Sequence, residues 1–135
     1  MRALIDTSAL LALSNARDQH HARAAEIAAR HRSAGGTFVG TTLVLSEFHS
    51  HLLYLRDVAV ARTALRYLLD DPIQAWVEVG AELVREATSG WLLRYEDQAF
   101  SLADAVSFEV MRAERLTVAF AFDHHFEVAG FELLR

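Results

Sequence analysis

The sequence predicts an α/β fold with a central parallel sheet covered by helices on both faces. Three observations predict it. Short apolar, β-prone runs alternate with longer segments of helical period, the pattern of strands joined by helical crossovers. The first run, Arg2-Ala3-Leu4-Ile5-Asp6, is apolar on both faces, as a central parallel strand is. Glycine and proline are sparse, six and one in 135 residues, and no linker, low-complexity tract or repeat interrupts the alternation. The chain therefore reads as one unit over 1–135.

Taken in order, the strand 2–6 leads into a helix from Thr7 to about Ser14. A second helix runs from about Asp18 to Ala34, with Ala22, Ala25, Ile27 and Ala28 apolar, and stops at Gly35-Gly36. Thr37-Phe38-Val39-Gly40 is a short strand. Thr41 or Thr42 can cap the next helix, which reaches about Leu55. A further helix spans about Val58 to Leu69, with Val58, Ala61, Leu65, Leu68 and Leu69 as its stripe, and ends at Asp70-Asp71-Pro72. Ile73 to Val79 reads as a strand, Ala81 to about Leu93 as a helix, and Ser101 opens a helix to about Arg115. Thr117 to Phe122 is apolar and β-prone and ends at Asp123, with a turn of helix and a strand at 131–134 closing the chain.

Composition excludes several chemistries. With 53% hydrophobic residues the chain can build a core without disulfides, and it has no cysteine for thiolate chemistry. All 13 basic residues are arginine, so there is no Schiff-base lysine and no P-loop lysine. The apolar start is interrupted by Asp6, too short and too acidic for a signal peptide or membrane span. A cytoplasmic protein with no membrane partner is the expectation. A net charge of −5 argues against indiscriminate coating of nucleic acid, but not against gripping a phosphodiester through bound cations.

Ligands of parallel sheets bind outside the carboxyl ends of the strands. Asp6 and Asp123 both end strands, so both belong at that edge; capping the following helix is the other reading of each. Asp104 lies three residues after Ser101, a capping-box pattern that is also compatible with a place at the sheet edge. Glu47 flanks a buried stripe of Val44, Phe48, Leu52 and Leu55, which makes it either a solvated boundary residue or one facing a polar crevice. Gathered together, four carboxylates raise one another's pKa unless a cation neutralises them. Hard dications favour such oxygen donors, and with bound water they suit in-line attack on a phosphate.

At these residues the sequence resembles a PIN domain, in particular the VapC-type toxin ribonucleases of bacterial and archaeal toxin–antitoxin pairs. The matching segments are Leu4-Ile5-Asp6-Thr7-Ser8, Ser46-Glu47-Phe48, Phe100 to Ala105, and Ala121-Phe122-Asp123-His124-His125-Phe126 followed by Gly130-Phe131. The resemblance implies a three-layer α/β/α fold and ligation of Mg2+ or Mn2+ by the acids matching Asp6, Glu47, Asp104 and Asp123. Asp6 and Asp104 would be direct ligands; Glu47 and Asp123 would ligate a second ion or orient the attacking water. It further implies endonucleolytic cleavage of an RNA substrate, a homodimer, and a small antitoxin that inserts a basic side chain among the acids. One departure is Ala121, where many members carry Thr or Ser; Thr7 and Ser8 remain as hydroxyl partners.

Other residues carry weaker signals. Asp97 is a reserve acid near Ser101. His124 and His125 suggest a surface or phosphate-facing role rather than a zinc site. His20, His21, His49 and His51 are expected on helices and exposed, and Arg94, Arg112 and Arg115 on solvated faces. Trp76, Trp91, Phe38 and Phe108 suit core or dimer interface better than base stacking. Two rival functions remain. A phosphatase using Asp6 as nucleophile meets Ser8 where a second Asp is wanted, and a non-catalytic PIN-like module would bind RNA or protein without cleaving it.

Overall fold

The computed structural model describes residues 1–135. Five strands, β1 (Arg2–Ile5), β2 (Thr37–Thr41), β3 (Gln74–Val77), β4 (Val118–Phe120) and β5 (Glu132–Leu133), form one sheet in the order β3-β2-β1-β4-β5. Every pairing is parallel. Seven α-helices surround it: α1 (Thr7–Ser14), α2 (His21–Ser33), α3 (Thr42–Leu55), α4 (Val58–Asp70), α5 (Ala81–Ala87), α6 (Leu102–Glu114) and α7 (His125–Val128). A π-helical stretch, Thr88–Leu92, continues α5.

Side-chain alternation along the strands explains the three layers. Ala3, Ile5, Phe38 and Phe120 point to one face and pack under α1–α4. Leu4, Val39 and Ala119 point to the other and pack under α5, the π-helical stretch, α6 and α7. Since both faces are covered, the strands are apolar throughout and a shift of one residue would exchange the two cores. α6 is the most enclosed helix, buried from Ala103 to Met111.

The chain enters the sheet at its centre, builds outward through β2 to β3, then crosses to β4 on the other side of β1. That reversal opens a crevice between the carboxyl ends of β1 and β4, where open α/β sheets bind ligands. The amide of Asp6 donates to the carbonyl of Phe120 at 3.0 Å and ties the two strand ends together.

Several expected features fall elsewhere. α2 begins at His21, after a turn in which Asp18 accepts the amide of His20, and its inner face is Ala24, Ile27, Ala28 and His31. The buried stripe of α3 stops at Leu52: Arg56 breaks the helix with φ −126° and ψ −104°, and Leu55 is 52% exposed. On α4, Val58 and Leu69 face solvent and only Ala61 and Leu68 are buried. Trp91, Phe38 and Phe108 are core residues, while Trp76 is partly buried against the α1–α4 side. His20 stacks on Phe122 with centroids 4.4 Å apart, and His21 Nδ1 lies 2.7 Å from the Ala12 carbonyl, so neither is simply exposed. Arg112 grips Glu109 with two donors rather than standing free.

Candidate active site

Local folding first fixes each acid by a structural task. Asp6 is the N-cap of α1, with Oδ2 accepting the Ser8 amide at 3.2 Å and the Ser8 hydroxyl at 2.6 Å. Asp104 completes a capping box: its amide donates to Ser101 Oγ at 3.0 Å and its Oδ2 accepts the Ser101 amide at 3.1 Å. Asp123 Oδ1 accepts the His125 amide at 2.9 Å in the turn that leads into α7, whose N-cap is His124. Glu47, in the second turn of α3, accepts the Thr7 hydroxyl at 2.9 Å through Oε1. Capping thus occupies one oxygen of Asp6 and one of Asp104.

The four acids are joined by short links along the β1/β4 crevice. Thr7 connects Glu47 to the residue next to Asp6. Ser8 Oγ, while donating to Asp6, accepts the amide of Phe122 at 3.0 Å, and so binds the Asp6 turn to the segment carrying Asp123. Asp104 lies near enough for its charge to act on Asp6. His125 joins the remaining pair, its Nδ1 being 3.1 Å from Asp104 Oδ2 and 3.4 Å from Asp123 Oδ1. Asp97 is exposed on the loop before α6 and its side chain has no hydrogen-bond or ion-pair partner. His124 is 77% exposed and 3.8 Å from Asp123.

His125, not His124, is the imidazole that bridges acids. The sequence offered two adjacent histidines in a short turn, with no periodicity to tell them apart. The distinguishing signal is tertiary: the ring of His125 stands edge-on against the buried Phe100, centroids 5.3 Å apart.

Electrostatics single out Asp6. It is 6% exposed and no arginine or histidine forms an ion pair with it. Burial pushes its carboxyl from an ordinary 3.8 up to about 6, the Ser8 hydrogen bonds oppose that rise, and the charge of Asp104 adds to it. A buried carboxylate with no cationic partner of its own, beside a second one that meets only the His125 ring, fits a hard dication: the donors are oxygens and the charge it lacks is positive. The potential ligand atoms of Asp123, His124 and His125 also lie within 4.8 Å of one another.

A cavity of about 800 Å³ lies elsewhere. It runs between α2 and α4 over Leu10, Ala28, Phe38 and Leu68, and none of the four acids lines it. Its lining is mostly apolar.

An all-parallel sheet with carboxylates where β1 and β4 end fits a nuclease domain, and the chain belongs to the PIN domain family, whose profile matches residues 3–132. Within that family it is similar to VapC20 of Mycobacterium tuberculosis, named a 23S rRNA-specific endonuclease, in strains CDC 1551/Oshkosh and H37Rv. The identity is 35% over 134 residues, covering 97% of this chain and 96% of the relative. The crystal structure of M. tuberculosis VapC20, described as a Sarcin-Ricin loop cleaving toxin, superposes with a TM-score of 0.83 at 32% identity, covering 96% of this chain and 95% of that one. The fold is also that of VapBC2 from Rickettsia felis bound to a promoter DNA fragment, with a TM-score of 0.70 at 13% identity over 98% and 97% of the two chains.

Proposed function

We propose that this chain is a divalent-metal-dependent endoribonuclease, the toxin of a toxin–antitoxin pair, acting as one nuclease domain through Asp6, Glu47, Asp104 and Asp123. The observation that carries the reading is the buried, cation-free Asp6 facing the charge of Asp104 at the β1/β4 crevice. RNA as the substrate is supported by the 35% identity to a 23S rRNA-specific endonuclease over nearly the whole chain.

Asp6 and Asp104 would hold the ion, with Asp123 and Glu47 beside them. When bound, Mg2+ or Mn2+ supplies positive charge to the scissile phosphate and makes water a nucleophile near neutral pH. The chain's own residues do the rest. Ser8 orients Asp6 through Oδ2. Thr7 occupies Oε1 of Glu47 and leaves Oε2 to accept the proton of the attacking water. The His125 amide fixes Oδ1 of Asp123. With a net charge of −5, the chain depends on the cation to bring a phosphodiester to this edge.

A small antitoxin is the expected partner, because a basic side chain inserted among these acids would neutralise them as a dication does. A homodimer in the cytoplasm completes the proposal. The test is incubation of the purified chain with RNA containing 23S rRNA, in Mg2+ and in Mn2+, beside Asp104→Asn. Discrete cuts by the wild type and none by an equally folded variant are expected. Equal cleavage by both would contradict the assignment.

A further inference from the structure

We infer that Arg56 and Arg17, gathered around Asn15 at the far end of α1, bind backbone phosphates of the RNA strand whose scissile bond lies at the acids. The inference rests on the nuclease reading above and adds to it the surface that grips the substrate.

Arg56 is where the charge is unbalanced. It is the only one of the 13 arginines that is not exposed. Its guanidinium forms no ion pair, and its polar partner is the neutral Oδ1 of Asn15, which accepts from Nη1 at 3.4 Å. Asp57 is next in the chain, yet its Oδ1 accepts the Val60 amide at 2.9 Å as the cap of α4. A half-buried cation without an anion has lost hydration that one long bond to an amide does not replace. The end of α3 offers it only a fraction of a negative charge. An anionic ligand completes the set, and the planar fork of donors on arginine matches the oxygens of a phosphate.

The turn that receives this arginine is held in place. Asn15 is 6% exposed, and its Oδ1 also accepts the Arg17 amide at 3.2 Å, which draws both arginines to one side chain. The Asp18 amide donates to the Asn15 carbonyl at 2.9 Å, and Asp18 Oδ1 accepts the His20 amide at 2.8 Å. Asp18 is thereby turned to the backbone, and the exposed Arg17 guanidinium has no carboxylate partner. His21 Nδ1, 2.7 Å from the Ala12 carbonyl, pins the turn to α1. A surface ordered in advance loses little entropy when it binds.

Position relates this turn to the cut. Asp6 caps one end of α1 and Asn15 the other, so the eight-residue helix separates acids from arginines by about 12 Å. A short length of RNA spans that distance. The turn also returns to the acid edge: the His20 ring lies flat on Phe122, centroids 4.4 Å apart and planes 5° apart, and Phe122 directly precedes Asp123. A strand with one phosphate at the acids therefore reaches the arginines along α1. With a net charge of −5, the chain needs a local excess of cationic groups to hold RNA, and phosphate contacts of this kind position a strand without reading its sequence.

The test measures binding of a short fluorescein-labelled fragment of 23S rRNA by fluorescence anisotropy, in Mg2+ and over a series of salt concentrations. The full-length chain carries Asp104→Asn so that the RNA stays intact, and Arg56→Gln, Arg17→Gln, Arg56→Lys and Arg66→Gln are added one at a time. Arg66 is exposed on α4, so Arg66→Gln controls for net charge. We expect Arg56→Gln and Arg17→Gln to weaken binding severalfold and each to lower the salt slope by about 0.7. Arg56→Lys should keep the slope, and Arg66→Gln should change neither quantity. Arg17→Gln, at an exposed side chain, carries the test if Arg56→Gln unfolds. Unchanged slopes in Arg56→Gln and Arg17→Gln, while the wild type cuts RNA, would overturn the inference alone and leave these arginines to a protein partner. An equal effect from Arg66→Gln would reduce it to net charge, and no RNA binding by the Asp104→Asn parent would overturn it as well. Binding that depends on Arg56 in a chain whose wild type never cuts RNA would overturn the nuclease reading instead.

Discussion

Ser8 donates its hydroxyl to Asp6 Oδ2 at 2.6 Å and accepts the Phe122 amide at 3.0 Å, so one side chain locks the turn after β1 to the segment after β4. Ser8→Ala removes both bonds at once and leaves the Phe122 amide without its partner. The expected loss of stability is about 1–3 kcal/mol, read as a lower midpoint in urea. Cleavage should fall further than stability alone accounts for, because Asp6 loses its orientation. Unchanged activity in a folded Ser8→Ala protein would show that this lock has no part in the site.

The raised carboxyl of Asp6 makes the metal-free protein sensitive to pH. Its folded-state value of about 6 lies above its ordinary 3.8, so the neutral form is the one favoured by folding. The contribution is fully present below about 4 and is lost as the pH rises through about 6; it amounts to about 3 kcal/mol. Glu109, whose carboxyl is held below its usual range by Arg112, acts in the opposite sense and loses its contribution as the pH falls below that range. Denaturation with chelator present, wild type against Asp6→Asn, isolates the first effect. The difference in stability should grow from pH 4 to pH 6.5 in favour of the variant, and a flat difference would contradict the assignment.

Thr7 holds Glu47 by a single hydrogen bond at 2.9 Å. Thr7→Val preserves the shape of the side chain but deletes the donor. The fold should persist, with metal affinity or cleavage reduced by about 10–100-fold. Parallel measurements of Thr7→Ser, which keeps the hydroxyl, should return most of the loss; failure of Ser to rescue would assign the effect to packing.

Away from the site, the buried carboxylate of Glu109 accepts the indole N–H of Trp91 at 3.2 Å and two donors of Arg112. Glu109→Ala strands that indole inside the core and should cost about 2 kcal/mol in thermal or urea unfolding. Arg112 is exposed, so Arg112→Ala should cost less. The reverse order would contradict the larger share given to the indole bond, which alone ties α6 to the π-helical stretch.

The sheet edge was legible because short-range chemistry announced it. The two-sided apolar run before Asp6 and the β-prone run before Asp123 identified the central strands, and Ser101 with Asp104 identified a helix start. What stayed hidden depends on contacts between distant segments. The 81–93 region carries a helical period that does not reveal the shift to π-geometry at Thr88, which accompanies the Trp91–Glu109 bond. His31 is buried in α2 between two exposed arginines, its Nε2 2.8 Å from the Thr37 carbonyl. The hydroxyl expected at position 121 is absent, and Ser8 reaches the neighbouring amide of Phe122 from across the crevice. His125 was indistinguishable from His124 until Asp104 and Phe100 were placed around it.

The central claim is that acids from separate segments jointly bind a dication that cleaves RNA. Its most direct test is cleavage of RNA containing 23S rRNA by the purified chain after exhaustive chelation, followed by return of Mg2+ or Mn2+. The account predicts no cuts in chelator and restored cutting with either ion, in proportion to occupancy. Cleavage that continues undiminished in chelator would contradict it.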